Sequence, residues 1–303
     1  MLEQPVKFNL QQERDFGEKL NGSFTFVSQN FKPLLLLLIK GAVPLAIIAG
    51  IAQGVYTSGL FSAMDTIRNS NEITDVGVFS LNWLSTVFAP VYLLSILFIF
   101  MTMVMTQCIV YGYMKIYNEK SGSVISETEV FEIVKRKFII VLLADFVVAF
   151  ITILAMVFLL IPGIYLGVVF IFVVPLVVIE NHSLGSALSR CFVLIKDKWW
   201  STLGLVFVAT IISYMMSMIF ALPTFAITMA RSLQLIKGEL LWTHILAGVI
   251  ATTGQYVLYS FVSVVIGIQY YNLHERIEGK GLRAMIDSIG AEKRQSDLNT
   301  GDF

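Results

Sequence analysis

The sequence is poor in the residues from which soluble active sites and extracellular frameworks are built. Among 303 residues there are two cysteines, Cys108 and Cys191, and three histidines, His182, His244 and His274. Neither cysteine falls in a segment expected outside the cell, so no disulfide is expected. The histidines are far apart and show no ligand spacing, so no metal and no cofactor is expected. There is no GxGxxG before a helix, no Walker loop, no HExxH and no GxSxG. Charged residues make up 14% of the chain, against about 25% in a soluble domain. The net charge is zero, so bulk charge gives no footprint for nucleic acid. The longest polar stretches, at the two ends, are about 33 residues, too short for a soluble catalytic domain. These absences argue against an enzyme, although some membrane enzymes keep their site inside the helix bundle.

What is present is apolar sequence, 56% of the chain. A helix needs roughly 20 apolar residues to cross the hydrocarbon core. Six segments qualify, at about Leu34–Tyr56, Val87–Met114, Phe138–Leu160, Gly163–Ile179, Thr202–Leu222 and His244–Ile268. Only Ile161-Pro162-Gly163 separates the third from the fourth, which reads as a tight reversal. The first 33 residues are mixed in charge and too long for a signal n-region, and no small-residue cleavage site follows, so no removed signal peptide is expected. The chain therefore divides into an N-terminal segment with an interfacial helix (1–33), a six-helix domain (34–270) and a C-terminal tail (271–303). Seventeen lysines and arginines fall before the first span, in the second and fourth connections and in the tail; three, Arg68, Arg231 and Lys237, fall on the other side, and Lys40 lies within a span. Basic residues stay in the cytoplasm, so both termini are expected there, with the Arg68 and Lys237 connections outside.

A short basic signature precedes each odd-numbered span: Phe26-x5-Lys32, Phe131-x5-Lys137 and Phe192-x5-Lys198. The second and third copies align without gaps over 32 positions at a spacing of 61, with eight identities including Lys135/Lys196, Phe146/Phe207 and Pro162/Pro223. One reading is chance likeness between basic-then-apolar segments. The other is an all-α membrane protein whose six helices form three parallel hairpin repeats, each preceded by a cytoplasmic interfacial helix. In Ser183–Leu194 the stripe Leu184, Ala187, Leu188, Cys191 and Leu194/Ile195 recurs at helical spacing, with Ser183 as N-cap. Such a helix either lies in the headgroup plane or packs on the bundle. Trp199 and Trp200 follow at the level of the aromatic belt.

Ionisable residues inside spans are costly and are functional candidates. Lys40 and Asp145 each stand 14 residues after the repeat phenylalanine. Lys40 either snorkels to the headgroups, pairs with Asp145 at equal depth, or serves with it in transport. The sixth span carries Thr252, Gln255, Tyr256, Tyr259, Ser260 and Ser263 as one polar stripe, of the kind that more often joins helices than conducts solute. Glu180 closes the fourth span, where Arg190 could fold back to it. Gly248 and Pro44 call for no special role.

The run Ile161-Pro162-Gly163-Ile164-Tyr165, then Pro175 to Glu180, Ala187-Leu188-Ser189-Arg190, Lys198-Trp199-Trp200 and the segment Tyr270 to Gly279 resembles the membrane domain attached to some glycerophosphoryl diester phosphodiesterases and related bacterial membrane families. The resemblance covers about Pro162 to Leu282 well and the first half loosely. It implies a helical membrane fold and a bacterial plasma-membrane location. No hydrolase domain follows, so it carries no reaction. The expectation is a non-enzymatic scaffold or accessory protein with membrane lipids and a cytoplasmic-face protein as partners and no nucleic acid; the alternative is a transporter or channel for a small or amphipathic solute.

Overall fold

The computed structural model describes residues 8–69, 89–120, 125–236 and 241–279, the side chains of 64–69 excepted. Among the described residues there are nine helices and no strand: α1 (Phe16–Gln29), α2 (Phe31–Asn69), α3 (Pro90–Glu119), α4 (Glu127–Phe158), α5 (Leu160–Phe170), α6 (Val173–Ile179), α7 (Leu184–Leu194), α8 (Trp199–Ser232) and α9 (Leu241–Glu278). Six apolar elements are long enough to cross a membrane: Phe31–Ala63, Pro90–Glu119, Glu127–Phe158, Leu160–Ile179, Trp199–Ser232 and Leu241–Glu278. Each expected span falls on one of them, and the chain is a multi-pass membrane protein. Helices satisfy their own backbone polar groups, which is what a hydrocarbon solvent demands. The Arg68 side chain, Lys237 and the tail beyond residue 279, which enter the charge count, lie outside the described residues.

Local chemistry sets the element ends. Asp15 starts α1 with a capping box: its carboxylate accepts from the Glu18 amide at 2.7 Å and the Glu18 carboxylate accepts from the Asp15 amide at 2.9 Å. α1 stops at Asn30, whose side-chain amide donates to the Phe26 carbonyl at 2.9 Å while its oxygen accepts the Tyr113 hydroxyl at 2.7 Å. Phe26 itself is fully buried, ringed by Phe8, Tyr113 and Tyr117. Between α4 and α5 the break falls at Leu159, in extended conformation, two residues before the expected one. Pro162 then sits in the first turn of α5, where its missing N–H is no loss. Gly163 serves close approach: a Cβ there would lie 2.7 Å from the Met156 backbone.

One expectation about interfacial helices is corrected, and one left open is narrowed. The second basic stretch is not a separate helix; Phe131 to Lys137 are turns of the unbroken α4. The apolar stripe of α7 points into the protein, with Ala187, Cys191, Leu194 and Ile195 buried, so the helix lies on the bundle, and its exposed large residues are Phe192 and Val193. Ser183 occupies the N-cap position without making the capping bond.

α9 is the element with the most helix neighbours among the described residues. It packs on α1, α2, α3, α7 and α8, and α2 also packs on α3. The first and last spans meet backbone to backbone. A Cβ on Gly50 would lie 2.5 Å from the Val249 Cα, one on Gly54 2.4 Å from the Ile245 Cα, and one on Gly248 2.6 Å from the Gly50 carbonyl. Gly248 thus has a role the sequence did not reveal: with Gly50 and Gly54 it forms a small-residue crossing. The crevice beside it, lined by Ala42, Ala46, Thr253 and Tyr256 among others, leaves no space for a water molecule. Far from this seam the outer halves of α4, α5 and α8 turn large apolar residues outward, Ile161 being 81% exposed, as lipid-facing surface requires.

Gly54→Leu is expected to lower the melting temperature in detergent by the equivalent of about 1–3 kcal/mol of overpacking. Gly59→Leu, on the same helix with nothing within 4 Å of its added Cβ, is expected to leave it unchanged. Equal effects would show that the crossing is not the constraint.

Candidate functional site

Polar side chains gather in two places. The first is the end of the bundle at which α1 lies, which also receives the basic segments. There the Asn272 amide donates to the Arg14 carbonyl at 3.2 Å, the Lys115 ammonium to the Val178 carbonyl at 3.4 Å and Arg276 to the Lys196 carbonyl at 3.4 Å. Four stretches remote in sequence are thereby tied into one cap.

At the centre of the cap is Glu180, the last residue before a turn through Asn181, which adopts a left-handed conformation at φ 61° that asparagine tolerates. The Glu180 carboxylate accepts the Tyr270 hydroxyl and faces His182 Nε2 at 2.9 Å and His274 Nε2 at 3.4 Å. His182 Nδ1 lies 3.0 Å from the Ser186 hydroxyl. His274 is also 3.3 Å from Glu278, which binds Arg190 at 2.5 Å. α6, α7 and α9 are thus held by one chain of polar groups. Arg190 and Glu180 share this chain without touching: the fold-back expected between them is replaced by Arg190–Glu278. No group of three or more His, Cys, Asp or Glu among the described residues is arranged to hold a metal ion.

Nearby, burial pushes the Cys191 thiol up to about 12, which keeps it protonated and unreactive. Burial, and after it the like charge of Lys198, hold the Lys19 ammonium below the ordinary lysine value, with Asp15 and Glu13 acting in the opposite direction. Trp199 donates to the Tyr165 carbonyl at 3.2 Å and stacks on its ring, while Trp200 is 79% exposed. One tryptophan therefore docks on protein and the other faces outward.

Beside the cap, α3 and α4 enclose a charged groove of about 240 Å³ lined by Ile116, Glu119, Lys120, Glu129, Glu132, Ile133 and Arg136. Lys120 pairs with Glu129 at 2.6 Å. Glu132 and Arg136, one turn apart on α4, are exposed.

The second place is inside the apolar layer. Asp145 is half-buried, and one carboxylate oxygen, Oδ2, is buried with no hydrogen-bond partner among the described residues. The Gln107 side chain lies beside the Tyr259 hydroxyl, and the Ser263 hydroxyl beside that of Tyr111. Gln107 and Tyr111 are one turn apart on α3, as are Tyr259 and Ser263 on α9, so each pair shares a helix face. The expected polar stripe of α9 is split accordingly: Thr252 and Ser263 are buried, while Gln255 is exposed on the outside of the bundle.

Lys40 does not reach Asp145. It pairs with Glu127, the first residue of α4, and both side chains are about half exposed. Glu127 and Asp145 are 18 residues apart on one helix, roughly 27 Å at about 1.5 Å per residue. The expected equivalence fails for a physical reason. The chain from Phe26 to Lys40 passes through the break at Asn30, whereas Phe131 to Asp145 is continuous helix, so equal sequence separation is not equal depth. Lys40 snorkels, and its charge finds the cap.

No family model, no curated protein and no solved structure matches this chain.

Lys40→Met and Asp145→Leu are expected to have additive effects on thermal stability in detergent, while Arg190→Met and Glu278→Gln are expected to couple by about 0.5–3 kcal/mol, the range for residues in contact. Coupling between the first two would contradict the assignment of partners.

Proposed function

We propose that the chain is a non-enzymatic scaffold or accessory protein of a bacterial plasma membrane, with its basic end and both termini on the cytoplasmic side, in contact with membrane lipids and docking a protein partner on that face. The positive-inside distribution supports the orientation, and the gathering of the basic segments at one end of the bundle agrees with it. A reading of the bundle as three parallel hairpin units draws support from the internal alignment and from the same gathering. The observation that carries the functional reading is the groove between α3 and α4. The cap's other polar groups are largely occupied with one another, whereas Glu132 and Arg136 present opposite charges, exposed and in no ion pair among the described residues, at the rim of a concavity. Such a rim steers and registers a charged partner surface.

A transporter or channel for a small or amphipathic solute is the second reading, and it rests on Asp145, an ionisable residue within a span whose Oδ2 has no hydrogen-bond partner among the described residues.

Affinity purification of the full chain in mild detergent tests the first reading. A stoichiometric protein partner is expected, lost when Glu132→Lys and Arg136→Glu are combined. No partner with the wild type, or one indifferent to both reversals, would contradict docking at the groove.

A further inference from the structure

The groove between α3 and α4 is built from one face of each helix. On α4, Glu129, Glu132, Ile133 and Arg136 stand at positions i, i+3, i+4 and i+7; at the end of α3, Ile116, Glu119 and Lys120 stand at i, i+3 and i+4. Such spacing brings each set together, and the two sets enclose a single concavity of about 240 Å³.

Three carboxylates and two basic groups line it, so the lining is one positive charge short of balance. Lys120 is committed, its ammonium lying 2.6 Å from Glu129 Oε1. The other oxygen of that carboxylate, Oε2, is buried with no hydrogen-bond partner among the described residues, although the Glu129 side chain as a whole is 41% exposed. A buried acceptor left unsatisfied is costly, and more so on a charged group. Glu119 and Glu132, both exposed, add further acceptors to the same lining. The next base back along α3, Lys115, does not make up the difference, because it donates to the Val178 carbonyl at 3.4 Å. Lys135 and Lys137 of α4 are not part of the lining.

Size selects the occupant. Sites for drug-sized ligands are about 300–1,000 Å³, so a groove of about 240 Å³ takes one long side chain. Ile116 and Ile133 supply apolar surface of the kind along which lysine and arginine lay their stems while their heads reach polar groups.

We propose that the groove is the receptor for a single basic side chain, lysine or arginine, of the docking protein. Its charged head donates to Glu129 Oε2 and to the Glu119 and Glu132 carboxylates, and its stem lies on Ile116 and Ile133. Arg136, one turn beyond Glu132, repels a second cation and limits the groove to one. This rests on the reading of the groove as the docking place and adds the chemistry of what docks.

The test has two arms, both on the full chain in mild detergent. In the first, Ile133→Cys supplies a reporter thiol, which is modified by the cationic 2-(trimethylammonium)ethyl methanethiosulfonate or the anionic 2-sulfonatoethyl methanethiosulfonate. Each rate is divided by that reagent's rate with free mercaptoethanol. The native Cys108 and Cys191 are fully buried, and the chain without the reporter gives their background. A normalised preference for the cationic reagent of roughly tenfold is expected, the equivalent of about 1.4 kcal/mol, falling towards unity when Glu119→Gln and Glu132→Gln are combined. Ile116→Cys serves as the reporter if Ile133→Cys fails to fold. In the second arm, the same double glutamine variant is expected to lose the captured protein. The segment of that protein cross-linked to the reporter is expected to carry a lysine or arginine whose replacement by glutamine releases it. Equal normalised rates, or faster reaction with the anionic reagent, overturn the proposal whatever is captured. So does a partner that binds the double variant as well as the wild type, or whose cross-linked segment holds no basic residue. Capture of no partner overturns the docking reading and this inference with it, and a persisting cationic preference tells that failure from the first.

Discussion

From Phe261 to Glu275 every residue of α9 is buried, so this stretch has no solvent or lipid face for about four turns. A helix in that position must offer each neighbour something, and its sequence does. Phe261 and Val265 pack with Leu205 and Ala209 of α8. Gln269 donates to Thr202 at 2.8 Å, Tyr270 reaches Glu180, Tyr271 lies 3.4 Å from the Met114 carbonyl and Asn272 reaches the Arg14 carbonyl just ahead of α1. Polar and apolar residues alternate around the helix because its partners differ on each side. The rest of the fold is arranged by this burial. α1 and α7 close over the end of α9, and α2 is pulled against its other half through the glycine crossing.

The same constraint explains why the polar groups are where they are. Buried polar groups are tolerated when they are hydrogen-bonded, and a cap made from four separate stretches meets that requirement while locking the register of the helices it joins. Glu180 and Glu278 act as hubs for three helices, and removing a hub would strand several donors at once. Asp145 departs from the pattern: its Oδ2 is buried without a hydrogen-bond partner among the described residues.

Much of the fold was legible because apolar length and the basic residues are local signals. The six spans, the N-cap position of Ser183 and the inward stripe of α7 can be read from residue type and period alone. Whether that stripe faces lipid or protein cannot, because an apolar face looks the same to either until the neighbours are known; here α6 and α9 cover it. The pairing of Lys40 with Asp145 failed on the break at Asn30, which changes the depth assigned to every later residue. The cap network was illegible for another reason. Glu180, Tyr270 and His274 are far apart in sequence, and the region after Ile268 looked like a tail because its polarity rises. That polarity is the sign of a helix end that serves protein partners.

Single cysteines introduced at Ile268, Tyr271, Asn272 and His274, with Ile277 as the exposed reference, would test the burial of α9 on all sides when treated with a small thiol reagent in membranes. All four are expected to be protected whatever their position around the helix, while Ile277 reacts. Reaction on one face alone, repeating every three or four residues, would show that the end of α9 is an amphipathic surface helix and would contradict the packing described here.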